Sequence, residues 1–315
     1  MDSSRSPSHW HIIGCGSMGG LWACHLHQAD HPVTLILKDA AAEESFLRAS
    51  TIKVDREQGT IENHFPATLA ERISADDLTV DKISLLVTTK AYDTLTALQS
   101  ISHILTSYSV VVIMQNGMGQ HELVHQAFPH LPVMTAITSQ GAYSKAPFHL
   151  VHAGHGDTWL GRLADQEQMV AKRQAADLLA LNIPAFWDED IASRMWVKLA
   201  VNCVINGLTV VRECRNGEIL ATELHSRIIR LCDELELVLA EVLSGSATPN
   251  LYDEVTRIAA ATSNNISSMR QDVLKGTGTE LDYINGYLCS EALRRNIDVP
   301  EHRALLHELR ELVPS

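Results

Sequence analysis

Three polar residues stand at intervals of four in an otherwise apolar run: Lys198, Asn202 and Asn206, in Trp196-Val197-Lys198-Leu199-Ala200-Val201-Asn202-Cys203-Val204-Ile205-Asn206. Helical geometry puts residues four apart on one stripe. An ammonium and two amides therefore share one line of a helix whose remainder is built for burial. Desolvation disfavours the charged ammonium and lowers its pKa, which equips Lys198 to donate a proton, while the amides can read hydroxyl groups. From the helix alone a solvent-facing polar stripe is an equal reading, since Lys and Asn are normally exposed.

A second constellation lies downstream. Asn265 and Ser268 share a face if the helix expected over 251–275 runs through them. Gly276 and Gly278 break that helix, and Thr279 with Asp282 fits a capping box for the next one, expected over 279–295. Glu280 then falls in a first helical turn, where a negative charge is favourable without any catalytic duty.

The third constellation is Gly14-Cys15-Gly16-Ser17-Met18-Gly19. Alone, such a motif is weak, because glycines at this spacing also serve turns. Here it follows a predicted strand and opens a helix expected over 18–29, so backbone amides at a helix N-terminus can face a pyrophosphate. Gly14 allows the tight turn, Gly16 the approach of phosphate and Gly19 the packing of helix on strand. The second strand runs into Lys38-Asp39. A cation there suits a ribose 2′-phosphate, which Asp39 alone would repel, so NADPH is the expected cofactor and Lys38 its contact. Lys90 and Asn116 also follow predicted strands on the same sheet edge, where ligands of open α/β sheets bind. Either could instead be an ordinary loop residue.

The elements that must position these groups fall into two sets. Short runs rich in β-branched residues, Trp10–Ile13, Val33–Leu37, 83–88, 110–114 and Val133–Thr138, alternate with amphipathic stretches, the pattern of a doubly wound parallel sheet of Rossmann type. Beyond Trp187 successive helices are expected over 190–210, Thr222–Val242, 251–275, 279–295 and 301–312, with a loop over 244–250. The expectation is an α/β Rossmann domain over 9–187, an all-α domain over 188–315, and a disordered polar tail over 1–8.

Composition narrows the classes. The chain has 315 residues, 45% hydrophobic and 20% charged, with a formal charge of −13. That balance disfavours nucleic acid and anionic membrane surfaces as partners, since both demand a clustered positive face. No secretory signal or apolar run of the ~20 residues needed to span a membrane is read, so the cytoplasm is the expected compartment. The six cysteines form no Cys-x-x-Cys pair and read as buried thiols. His149, His152 and His155, expected on two short strands around a turn, are not read as a metal site, because residues three apart point to opposite faces.

The glycine motif, Thr89-Lys90-Ala91-Tyr92-Asp93, Gln115-Asn116-Gly117-Met118-Gly119, the Lys198–Asn206 run, Asn265-Ile266-Ser267-Ser268-Met269 and Thr279-Glu280-Leu281-Asp282-Tyr283-Ile284-Asn285-Gly286 together resemble the ketopantoate reductases, or 2-dehydropantoate 2-reductases, over essentially the whole chain. The resemblance implies NADPH-dependent reduction of 2-dehydropantoate to (R)-pantoate, a step towards pantothenate and coenzyme A. It implies Lys198 as proton donor to the keto oxygen and Glu280 as the partner that orients it and also borders the cofactor. Ser268 would hold the substrate carboxylate; Asn202, Asn206 and Asn265 would meet its hydroxyl end, with Asn116 between cofactor and substrate. Binding between two domains would bring closure on substrate.

The chain departs from the family pattern at Gly207, where proline is common, at Gly278, where a basic residue is common, and at Lys38, where some relatives carry arginine. The first two bear on substrate fit and the third on cofactor preference. Two rival readings are a paralogous reductase of another branched 2-keto acid and a dinucleotide sensor without catalysis. The joint presence of Lys198, Ser268 and Glu280 speaks against the sensor. A monomer or a homodimer is expected.

Overall fold

The computed structural model describes residues 7–74, 83–163, 168–243 and 249–313. Most of the tail expected over 1–8 and of the loop expected over 244–250 lies outside them. The chain divides into two compact units: one of 1–115 and 120–191, the other of Asn116–Gly119 and 192–315.

The first unit begins with β1 (Trp10–Ile13), α1 (Ser17–Gln28), β2 (Val33–Leu37), α2 (Ala40–Ala49), β3 (Ile52–Arg56), β4 (Gly59–Asn63) and β5 (Ala67–Leu69). It continues with β6 (Ser84–Val87), α3 (Thr94–Ser100), β7 (Val110–Ile113), α4 (Gln120–Ala127) and β8 (Val133–Thr138). Last come β9 (Gly141–Ala146), β10 (His149–Gly154), β11 (Thr158–Gly161), α5 (Gln168–Gln174), α6 (Ala176–Leu179) and β12 (Ala185–Trp187).

Eight strands form one sheet in the order β12-β11-β8-β7-β6-β1-β2-β5. From β5 to β8 all neighbours are parallel, the dinucleotide-fold order with its switch point between β1 and β6. The sheet is not parallel throughout, because β11 joins β8 antiparallel. Alternation along β7 shows how both faces are filled: Val110 and Val112 enter the core with α1, α5 and α6, Val111 and Ile113 the core with α3 and α4.

A second sheet, β4-β3-β10-β9, covers α1 and was not foreseen. A Cβ on Gly20 of α1 would stand 2.6 Å from a terminal methyl of Leu150 of β10, so glycine there lets helix and sheet pack closely without displacing that side chain. The expected two strands around the histidines are one strand, β10, entered through Phe148 at φ 57°. His152 is buried on Gln140 (Nε2 to Oε1 2.8 Å), whereas His149 lies 3.1 Å from Asp55.

The second unit is helical: α7 (Ile191–Val211), α8 (Thr222–Val242), α9 (Leu251–Ala261), α10 (Ser268–Leu274), α11 (Asn285–Arg294) and α12 (Pro300–Leu312). Leu224, Ile228, Leu231, Leu235 and Val238 keep helical spacing and are all buried. At the N-terminus of α12, the buried Glu234 carboxylate accepts from the amides of Glu301 (2.8 Å) and His302 (3.0 Å), satisfying donors a helix start leaves open.

Three expectations about helices change here. The helix expected over 251–275 is two helices, because the chain unwinds at 262–267, and Asn265 is therefore not helical. The helix expected from 279 begins at Asn285, after a 3-10 turn at Leu281–Tyr283. No capping box forms there; the Asp282 carboxylate faces Arg310 at 3.3 Å instead. By length and composition α7 is apolar enough to cross a membrane, which the sequence reading did not register, yet 72% of that window is buried inside the protein.

Candidate active site

In the first unit the glycine loop follows β1 and turns directly into α1. Gly14 has φ +94°, and a Cβ there would fall 2.4 Å from the Thr89 amide, so only glycine fits. A Cβ on Gly19 would lie 2.4 Å from the Gly14 carbonyl oxygen, the close helix-on-strand packing expected of the third glycine. Thr88 at the end of β6 donates to that same carbonyl at 2.7 Å and ties the loop to the neighbouring strand. Gly16 is different, since a Cβ there would meet nothing within 4 Å.

No side chain caps α1, and no acid stands in its first turn, where Ser17 and Met18 begin the helix. Open space at Gly16 beside an uncapped helix N-terminus is a cradle for an anion, so these residues fit the pyrophosphate of a dinucleotide. Burial pushes the Cys15 thiol up to about 12, which removes it as a nucleophile.

Lys38 and Asp39 follow β2, the strand beside β1, and so stand on the same sheet edge. The Asp39 carboxylate accepts from the Ala42 amide at 2.8 Å and caps α2. Lys90 begins the 3-10 turn after β6, its carbonyl accepting from Asp93 and from the Thr94 hydroxyl. Gln115, after β7, donates to Thr89 at 2.9 Å and also to Thr94, which braces this edge.

The second unit holds Lys198, Asn202, Asn206, Asn265, Ser268, Glu280 and, through its four-residue excursion, Asn116. Lys198 is half-buried on α7. Lost hydration lowers its pKa to about 8, and the field of Glu280 opposes part of that shift. Glu280 is 5% exposed and immediately precedes the Leu281–Tyr283 turn. One turn beyond Lys198, the Cys203 carbonyl accepts from Asn285 Nδ2 at 3.0 Å, which fastens the segment after Glu280 onto α7.

Asn202 is half-buried, whereas Asn206 is 4% exposed and its Nδ2 has no hydrogen-bond partner. A donor hidden from water without an acceptor is costly, and a ligand oxygen would satisfy it. Three residues on, Thr209 bonds to the Asn206 carbonyl (3.0 Å) and to Ser267 Oγ (2.7 Å). Ser267 caps α10, so this chain of bonds sets Ser268 at the first turn of α10, exposed. Asn265 lies in the 262–267 connection and is exposed.

One residue escaped the sequence reading. Asn216 is 8% exposed, its amide donates to the Asn265 carbonyl at 3.0 Å, and its Oδ1 is buried without a partner. It sits in a 3-10 turn, where no helical period marks it in the sequence.

Asn116 stands in the loop Asn116–Gly119. The Met118 amide donates to the Tyr283 carbonyl at 2.8 Å. A Cβ on Gly117, at φ +81°, would fall 2.5 Å from that same oxygen. Gly119, at φ +99°, lies against the Tyr287 ring, which also packs on Trp196 at 5.8 Å between ring centroids. Asn116 is thereby fastened to the stretch that carries Glu280. Of the departures, Gly207 has a packing reason, since a Cβ there would meet Leu305 at 2.8 Å.

The chain is similar to known proteins over nearly its whole length. The family model described as ketopantoate reductase PanE/ApbA matches residues 10–165, and its C-terminal counterpart matches 190–313. The 2-dehydropantoate 2-reductase of Vibrio cholerae is 33% identical over 310 residues, covering 96% of this chain and 97% of that protein. The protein of the same name from Escherichia coli O157:H7 is 31% identical, covering 93% and 91%. Among solved structures, D-mandelate dehydrogenase with NADH and anilino(oxo)acetate superposes with a TM-score of 0.85 at 22% identity, covering 96% and 97%. A probable 2-dehydropantoate 2-reductase from Bacillus subtilis does so at 0.77 and 24%, covering 96% and 99%. At such identities the structures speak for the fold alone.

Proposed function

The chain belongs to the ketopantoate reductase family, and from that premise we propose that it reduces 2-dehydropantoate to (R)-pantoate with NADPH in the cytoplasm. When bound, the cofactor supplies a hydride to the keto carbon. Residues 9–187 hold it through the Gly14–Gly19 loop, with Lys38 and Lys90 as cationic contacts and Asn116 and Glu280 bordering it.

Lys198 carries the chemistry. The keto oxygen gathers negative charge only as the reaction proceeds, and a positioned ammonium that gives up its proton there stabilises the transition state more than the ground state. Glu280 holds that ammonium charged, because its field opposes the desolvation that would strip the proton. Ser268 takes the substrate carboxylate. Asn202, Asn206, Asn216 and Asn265 read the hydroxyl end, and the unpartnered Asn206 Nδ2 and Asn216 Oδ1 offer it one donor and one acceptor.

The single observation behind this assignment is a lysine set on the apolar helix α7 within the field of the buried acid Glu280. The test is NADPH oxidation with 2-dehydropantoate. The wild type turns over, and Lys198→Ala loses about 10²- to 10⁴-fold in kcat, the usual worth of a positioned acid. A wild type inert towards this substrate overturns the activity; near-normal turnover by the variant overturns the role of Lys198.

A further inference from the structure

Asn285 is fully buried at the start of α11, where an asparagine commonly caps its own helix. No side chain caps α11, and the Asn285 carboxamide is turned elsewhere: its Nδ2 donates to the Cys203 carbonyl, in the middle of α7, at 3.0 Å. A helical carbonyl has a second lone pair, so this bond adds to α7 without breaking it. The Oδ1 of the same group is buried without a partner. An orphaned acceptor is a cost that a leucine of similar shape would not carry, so stability alone does not account for asparagine here. Both ends of the bond lead to the proposed reacting groups. Cys203 is five residues from Lys198 along one continuous helix, which fixes each relative to the other. On the other side Asn285 follows a single turn that starts at Glu280, whose carbonyl accepts from the Tyr283 amide at 3.1 Å and the Ile284 amide at 3.0 Å.

We propose that Asn285 is a positioning residue for the reduction: its amide rivets the turn after Glu280 to α7 and so holds the Glu280 carboxylate where it acts on Lys198. This rests on the reading of Lys198 as proton donor given above. The Met118 amide holds the same turn at Tyr283, but from a loop and not from the helix that carries Lys198. Only the Asn285 bond ties the turn directly to α7 among the hydrogen bonds described above. Without it α7 and α11 still form, while the turn is free to shift, and the field of the carboxylate at the ammonium weakens with distance.

The test removes the donor and the orphaned oxygen together. Asn285→Leu does so at similar shape, and Asn285→Ala carries the same test should the leucine variant not fold. The titration midpoint of Lys198 is read without substrate, by NMR of protein carrying carbon-13-labelled lysine, its resonance assigned by loss in Lys198→Ala. In Asn285→Leu that midpoint falls by about half to one pH unit, a change of about three- to tenfold in proton affinity, with Tm within about 3 °C of wild type. With 2-dehydropantoate, kcat falls about 10- to 100-fold while KM changes less than about threefold. In a Glu280→Gln background the same substitution moves the midpoint no further, since the group it acts through is gone. A Lys198 midpoint unchanged by loss of the amide overturns the proposal, and so does an equal further shift on top of Glu280→Gln. A wild type inert towards 2-dehydropantoate overturns the activity instead, and the titration still decides whether Asn285 acts on Lys198 through Glu280.

Discussion

Lys198 and Glu280 make a prediction that belongs to single residues. A general acid works while it is protonated, so with a pKa near 8 activity holds below that pH and falls as pH rises through it, towards tenfold per unit. Glu280 raises the lysine pKa, so in Glu280→Gln the descending limb moves to lower pH. A pH profile of kcat/KM for both proteins checks each direction. Asn206 makes a second prediction. Its Nδ2 is buried without a partner, so Asn206→Leu, of similar shape, keeps or raises Tm, by a change worth about 1 kcal/mol, while KM for the keto acid rises at least tenfold. Thermal melting and steady-state kinetics on the same sample read both. The Lys198–Asn206 stripe was visible in the sequence because helical period and polarity disagree there. Asn216 was not, because a residue in a 3-10 turn is singled out only by its unsatisfied atom.

Elements show why some of the fold could be read and some could not. The strands β1, β2, β6, β7 and β8 announce themselves, since burial on both faces forces near-continuous apolar runs. The sheet of β3, β4, β9 and β10 presents one face to α1 and the other to solvent, and β4 and β9 carry many exposed polar residues that look like loop. The break at 262–267 is held by distant partners: Asn216 and Gly217 donate to the carbonyls of Asn265 and Ser263, which no local propensity reveals. After Glu280 the loop Asn116–Gly119 is seated on Tyr283, and the helix begins only at Asn285. That seating is testable. Gly117→Ala meets both a φ of +81° and a carbonyl oxygen 2.5 Å from the new carbon, so it costs about 1–3 kcal/mol in stability, read by denaturant unfolding. It also lowers kcat for the keto acid.

At the scale of the whole molecule, composition and period predicted an α/β unit followed by a helical one, and the units described here follow that order. The charge of −13 gives no general attraction for an anionic cofactor. On the proposed function, recognition therefore rests on local devices: the open space at Gly16 beside the uncapped start of α1, and the exposed Lys38. The apolar length of α7 is explained on the same scale, as the buried axis of its unit.

The excursion of Asn116–Gly119 into the second unit has a consequence for anyone recombining such proteins. The units are not separable at one point in the sequence, because one contains four residues encoded inside the other. A chimera that exchanges cofactor domains by a single crossover near residue 191 imports a foreign loop onto Tyr283 and Tyr287. Modular exchange requires two cuts: the four residues travel with the helices they touch, whatever their place in the gene.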